Sequence, residues 1–125
     1  MKARIFFYLI IIAGIVSISA CSNENKELKK DAQNIAGVMC KSLEAMKNLQ
    51  TADPDDSLLI QKLQLEYKKV ESEMTALYQQ FKTKYGDKTN NREFNERFRK
   101  FLNESMLDCK GLSKEDREAF EKGTK

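Results

Sequence analysis

Residues 57–86 read SLLIQKLQLEYKKVESEMTALYQQFKTKYG, and within them Ile60, Leu63, Tyr67, Val70, Met74, Leu77, Phe81 and Tyr85 recur at steps of three and four. Such a step matches the 3.6-residue turn of an α-helix and lays all eight side chains along one face. The spacing predicts a single helix from Ser57 to Tyr85, ended by Gly86, whose missing Cβ permits a left-handed stop. This is the longest regular pattern in the chain and the expected spine of a helical bundle. Leu59, Leu65 and Tyr78 fall off the stripe, so a second partly apolar face is left for a third helix or a partner.

Working towards the N-terminus, Thr51-Ala52-Asp53-Pro54-Asp55-Asp56 interrupts the pattern. Asp53 fits a helix N-cap, Pro54 the first helical position, and the next two aspartates the positive first turn. A calcium loop counted from Asp53 fails, because Leu58 falls where glycine is required and Gln64 where a bidentate glutamate is required. Asp56-Ser57-Leu58 resembles the short O-glycosylation acceptor pattern of Bacteroidetes, a three-residue match of little specificity. Before the turn, Leu28, Ala32, Ile35, Met39, Leu43, Met46 and Leu49 or Gln50 give a second stripe over Lys26 to Gln50. Beyond Gly86 to Thr89, Asn90 with Glu93 has the form of a capping arrangement. A third helix follows with Phe94, Phe98, Phe101 or Leu102, Ser105 and Cys109 inward and Gly111 as its stop. Arg97, Arg99 and Lys100 interleave with those phenylalanines, but the rings share one face and the bases the other, which is a core stripe rather than a stacking surface for nucleic acid. Ser113 caps a short last helix to Lys122, with Leu112, Ala119 and Phe120 able to fold back.

The first 20 residues differ in kind. Lys2 and Arg4 precede an unbroken apolar run from Ile5 to Val16, and Ile18-Ser19-Ala20-Cys21 follows. A basic start, a short apolar segment and a small-residue exit form a secretory signal, and the run is shorter than the ~20 residues that span a bilayer. The exit resembles the lipobox of bacterial lipoproteins. That resemblance implies cleavage before Cys21, a diacylglycerol thioether on its sulfur, and a further acyl chain on the freed amine. Two or three chains hold a protein stably where one does not. Ser22 after the cysteine implies, by the sorting rule of enteric bacteria, the outer rather than the inner membrane.

The domains expected are therefore a signal peptide over 1–20, an extended tether over 21–25 and a bundle over 26–122. The fold class expected is all-α, an up-down-up three-helix bundle with a short C-terminal fourth helix. Removing Lys2 and Arg4 with the signal lowers the formal net charge from +3 to +1, so the mature chain offers no electrostatic case for nucleic acid. The chain has no histidine, no phosphate-cradling glycine loop and no carboxylate pair within an apolar stripe, which argues against an enzyme and gives no residue set for a metal or cofactor.

Apart from Cys21, two cysteines remain. In an up-down-up arrangement at ~1.5 Å per residue, Cys40 lies ~15 Å below the top of the first helix and Cys109 ~15 Å below the same level on the third. The expectation is a Cys40–Cys109 disulfide joining those helices, in a compartment that permits oxidation. No Cys-x-x-Cys occurs, so a structural staple is expected rather than a redox centre. Together these readings describe a lipid-anchored, non-catalytic module of the bacterial envelope that docks an unidentified envelope protein, with Leu59, Leu65 and Tyr78 as the partner surface. Two rival readings are a carrier of small apolar ligands, suited by the Phe and Met content, and a homo-oligomer formed through the long second helix.

Overall fold

A computed structural model describes the backbone of residues 2–123 and the side chains of residues 23–123. Four α-helices follow in order: α1 over Lys2–Thr51, α2 over Ser57–Tyr85, α3 over Arg92–Met106 and α4 over Lys114–Gly123, with a 3-10 segment Gly86–Asn90 between α2 and α3. Among the described residues there is no strand, and no helix is long and apolar enough to cross a membrane. The described part of α1 runs up, α2 down, α3 up and α4 down, as expected for an all-α bundle with a short last helix.

The hub is α1, not α2. Both α2 and α3 pack along α1, while the backbones of α2 and α3 stay apart and meet through side chains. The reason lies in side-chain size. Ala32 and Ala36 are buried on α1 together with Leu28, Ile35 and Val38, and their small volume lets two helices approach different flanks of one rod. The stripe on α2 is longer but meets one neighbour for most of its length, so only Phe81 and Tyr85 are buried there. These two join Leu28, Ile35 and Phe94 in the core, with Met39, Met74, Leu77, Phe98, Phe101 and Leu102 packed around them.

Several helix ends differ from the sequence expectation. The cap of α2 is Asp56, whose Oδ1 accepts from the Leu59 amide at 3.0 Å. Asp53 instead accepts from the Asp55 amide at 3.0 Å, and the Asp56 amide donates to the Asp53 carbonyl at 3.1 Å. Pro54 therefore occupies the second position of a β-turn, where its fixed φ is favoured, rather than the first turn of a helix. Asp56→Ala should cost about 1 kcal/mol in urea unfolding. Asp53→Ala should cost less than half of that, and the reverse order would restore Asp53 as the cap.

Gly86 ends α2 with φ +48° and its amide donating to the Lys82 carbonyl, a backbone conformation that favours glycine. The cap of α3 is Asn91, one residue later than expected, accepting from the Phe94 amide at 3.1 Å. This helix stops at Met106 and not at Gly111. Cys109 consequently lies in the turn beyond α3, its amide bonded to the Met106 carbonyl at 3.0 Å. At α4, the Ser113 hydroxyl donates to Asp116 Oδ2 at 2.7 Å and accepts from the Asp116 amide at 3.1 Å. Arg117 then donates to the carbonyls of Leu107 and Cys109, tying α4 to the end of α3.

Candidate functional site

Three regions of the bundle carry features that function could use: the staple, the end nearest Cys21 and the opposite tip. Cys40 and Cys109 are joined as a disulfide with Cα atoms 5.5 Å apart, so the two cysteines do come out level. The early stop of α3 does not disturb this, because the turn after Met106 continues along the flank of α1. Cys109 is buried and Cys40 half-buried.

At the lower end, residues expected to form an extended tether are helical. Asn23, Glu24 and Asn25 continue α1, and Glu24 and Asn25 are held by the rest of the bundle. Glu24 accepts from Lys88 Nζ at 2.8 Å and lies 3.7 Å from Arg97, which also donates to Asn25 Oδ1 at 2.6 Å. One turn further, Lys84 Nζ reaches Asp31 at 2.7 Å and Glu27 at 3.3 Å, and the Tyr85 hydroxyl donates to the same Asp31 oxygen at 2.7 Å. Every acid on the first turns of the described α1 thus meets a base from another element. The hydrogen bond from Lys88 holds the Glu24 carboxyl below its ordinary range despite some desolvation. Burial, reinforced by Asp31, pushes the Tyr85 hydroxyl up to about 12, and the hydrogen bond to Asp31 holds Lys84 above the usual lysine range. These shifts belong to a structural clasp. Tyr85 is packed between Phe81 and Phe94, with ring centroids 4.7 and 5.0 Å away.

The upper end is a two-helix hairpin. Helix α3 runs beside α1 only as far as Cys40, and the turn at Lys110 and Gly111 reaches to about Asn48. Above that level the top of α1 and the start of α2 face each other without a third helix. Met46, Leu49, Ile60, Leu63, Tyr67 and Val70 therefore all remain partly exposed. The sequence stripe is real there, but two helices cover only one side of each other.

Leu59, Leu65 and Tyr78 are exposed, at 39%, 68% and 53%, yet they form no single surface. At 100° per residue Leu59 and Tyr78 flank the inward stripe on opposite sides, and Leu65 points away from it. Leu65 shares its outward face with Leu58, which is 79% exposed and stands one heptad earlier. The sequence signal for this pair was its seven-residue spacing. Lys62 and Lys69 each stand four residues after one of these leucines, with Glu66 between them on the helix.

The side chain of Cys21 lies outside the described residues. A groove of about 240 Å³ opens where Met39, Leu43, Met74, Met106, Leu112 and Phe120 converge under α4. Among the described residues no cluster of Cys, Asp and Glu is arranged to hold a metal ion. The fold is that of a small disulfide-stapled helical bundle built around one central rod. No protein-family model, no curated protein and no solved structure matches the chain.

Proposed function

We propose that the mature protein is a lipid-tethered, non-catalytic docking module of the bacterial envelope, presenting its hairpin tip to a protein partner. The observation that carries this reading is the uncovered hairpin, on which Leu58 and Leu65 project outward and Met46 and Leu59 lie open beside the inward stripe. A small monomeric domain rarely leaves several large apolar side chains open at one end unless something covers them. The lipobox Ile18-Ser19-Ala20-Cys21 supports the tether, and Leu65 with Leu58, rather than with Leu59 and Tyr78, makes the coherent part of the partner surface.

Intact mass spectrometry of protein extracted from its own membrane tests the tether. The expected mass is that of the chain beginning at Cys21 plus acyl groups, with two thiols tagged only after reduction. An unacylated mass would overturn it. Photo-crosslinkers placed at Leu58 and Leu65 test the docking, with adducts of one defined partner expected there and none at Lys100 on α3. Equal adducts at all three positions, or none at any, would remove the tip from consideration.

The groove under α4 favours a second reading, the carriage of a small apolar ligand. Its volume is below the ~300–1,000 Å³ usual for such sites. Lipid co-purified with the wild type and lost on Leu43→Phe, which fills the groove, would move this reading ahead of the first.

A further inference from the structure

The lower end of the bundle carries a charge arrangement that docking at the tip does not use. Lys26, Lys29 and Lys30 stand at i, i+3 and i+4 on α1, on the side turned away from Leu28 and Ala32, and all three are exposed. Their acidic neighbours on the helix are occupied: Glu24 by Lys88 and Arg97, Glu27 and Asp31 by Lys84. The clasp that holds α1 to the bundle also pairs its carboxylates, and among the described residues none of the three lysines forms an ion pair.

A second asymmetry points the same way. Over residues 23–31 and 82–100, which build this end, Lys and Arg outnumber Asp and Glu. Over the remainder of the described residues acids outnumber bases, with Asp53, Asp55 and Asp56 at the far turn. Asp87 and Glu93 are acids of the lower end that form no ion pair among the described residues, and they reduce the excess without reversing it. Residues 21–30 are helical without a break, so at ~1.5 Å per residue Lys26 lies ~8 Å and Lys30 ~14 Å along the axis from Cys21. Those distances compare with a Debye length of about 8 Å at physiological salt, and lysine side chains shorten them further.

We propose that the anchor-proximal end of the bundle is a seat for anionic lipid headgroups, with Lys26, Lys29 and Lys30 as its contact residues. The proposal rests on the tether reading and deepens it: the lipid fixes the protein at the bilayer, and the lysines hold the domain upright on it. Each lysine near an anionic surface strengthens the contact roughly fivefold. A bundle tipped onto the bilayer would bring Asp53, Asp55 and Asp56 within reach of the same surface, and their repulsion disfavours that orientation.

The test uses the native acylated protein in vesicles of phosphatidylcholine, with and without phosphatidylglycerol. A neutral, water-soluble amine reagent is applied and each lysine's labelling is read by peptide mass spectrometry. Labelling of Lys26, Lys29 and Lys30 should fall several-fold with phosphatidylglycerol and recover in high salt, while Lys62 and Lys110 label equally in both vesicles. Equal labelling of the three lysines in both vesicles would overturn the seat and leave the tether standing. Failure to float with phosphatidylcholine vesicles would overturn the tether, and the seat with it.

Discussion

Replacing both cysteines of the staple, Cys40→Ala with Cys109→Ala, should lower the stability of the helical bundle by roughly 2–5 kcal/mol. The bond spans a sequence separation of 69 residues, so the unfolded chain loses much of its freedom when it is closed. The chain-entropy model puts that constraint at about 4 kcal/mol, a large share of the ~5–15 kcal/mol by which domains are stable. For a domain of this size the melting midpoint should drop by about 10–30 °C. Thermal unfolding followed by circular dichroism checks this, and wild-type protein in strong reductant should match the double variant. Because the constraint acts on the unfolded state, the slope of a urea titration should also steepen in the variant. An unchanged midpoint would show that Cys40 and Cys109 are joined without contributing stability.

Phe94→Ala should cost about 3–5 kcal/mol, comparable to the staple but for a different reason. Phe94 is 2% exposed, and its ring centroid lies 5.0 Å from that of Tyr85 and 6.2 Å from that of Phe81. Its ring fills the place where α2 and α3, whose backbones do not touch, are joined across the flank of α1. Truncation leaves a cavity lined by rings that cannot collapse, because Tyr85 is pinned by its bond to Asp31 and Phe81 packs at a tilt against Phe98, ring centroids 4.5 Å apart. Leu65→Ala, on the outward face, should stay within about 0.5 kcal/mol and serves as the control. Urea midpoints of the two variants check both values, and a Phe94→Ala loss below about 1 kcal/mol would mean that α3 is held by the staple and the ion pairs alone.

Much of this architecture is legible in the sequence. Four helices, their order and the pairing of two cysteines follow from apolar spacing and from counting the rise along each rod. What escapes is instructive in physical terms. Three aspartates within four residues are locally equivalent as caps, and the choice of Asp56 depends on Pro54 closing a β-turn first. The length of the α2 stripe advertises burial, yet burial depends on how many neighbours a helix has. The clue to the hub was the pair Ala32 and Ala36, whose small side chains make room for two. The clasp of Glu24, Asp31, Lys84 and Arg97 had no local signature, since its partners are 53 to 73 residues apart in the chain. For the same reason Asn23 to Asn25 read as an unconstrained polar tether. Leu59, Leu65 and Tyr78 were legible as off-stripe residues, but only rotation about the axis separates them and groups Leu65 with Leu58.

Because α1 is one rod, its lower turns and its top at Thr51 belong to the same element, and 29 helical residues from Asn23 span ~43 Å. If the base is fastened and the tip is held, a pull between them travels as axial load through the hydrogen-bond columns of that single helix. The other helices hang alongside as braces, and the Cys40–Cys109 bond lies beside the line of force rather than on it. A protein so arranged acts as a strut of fixed length.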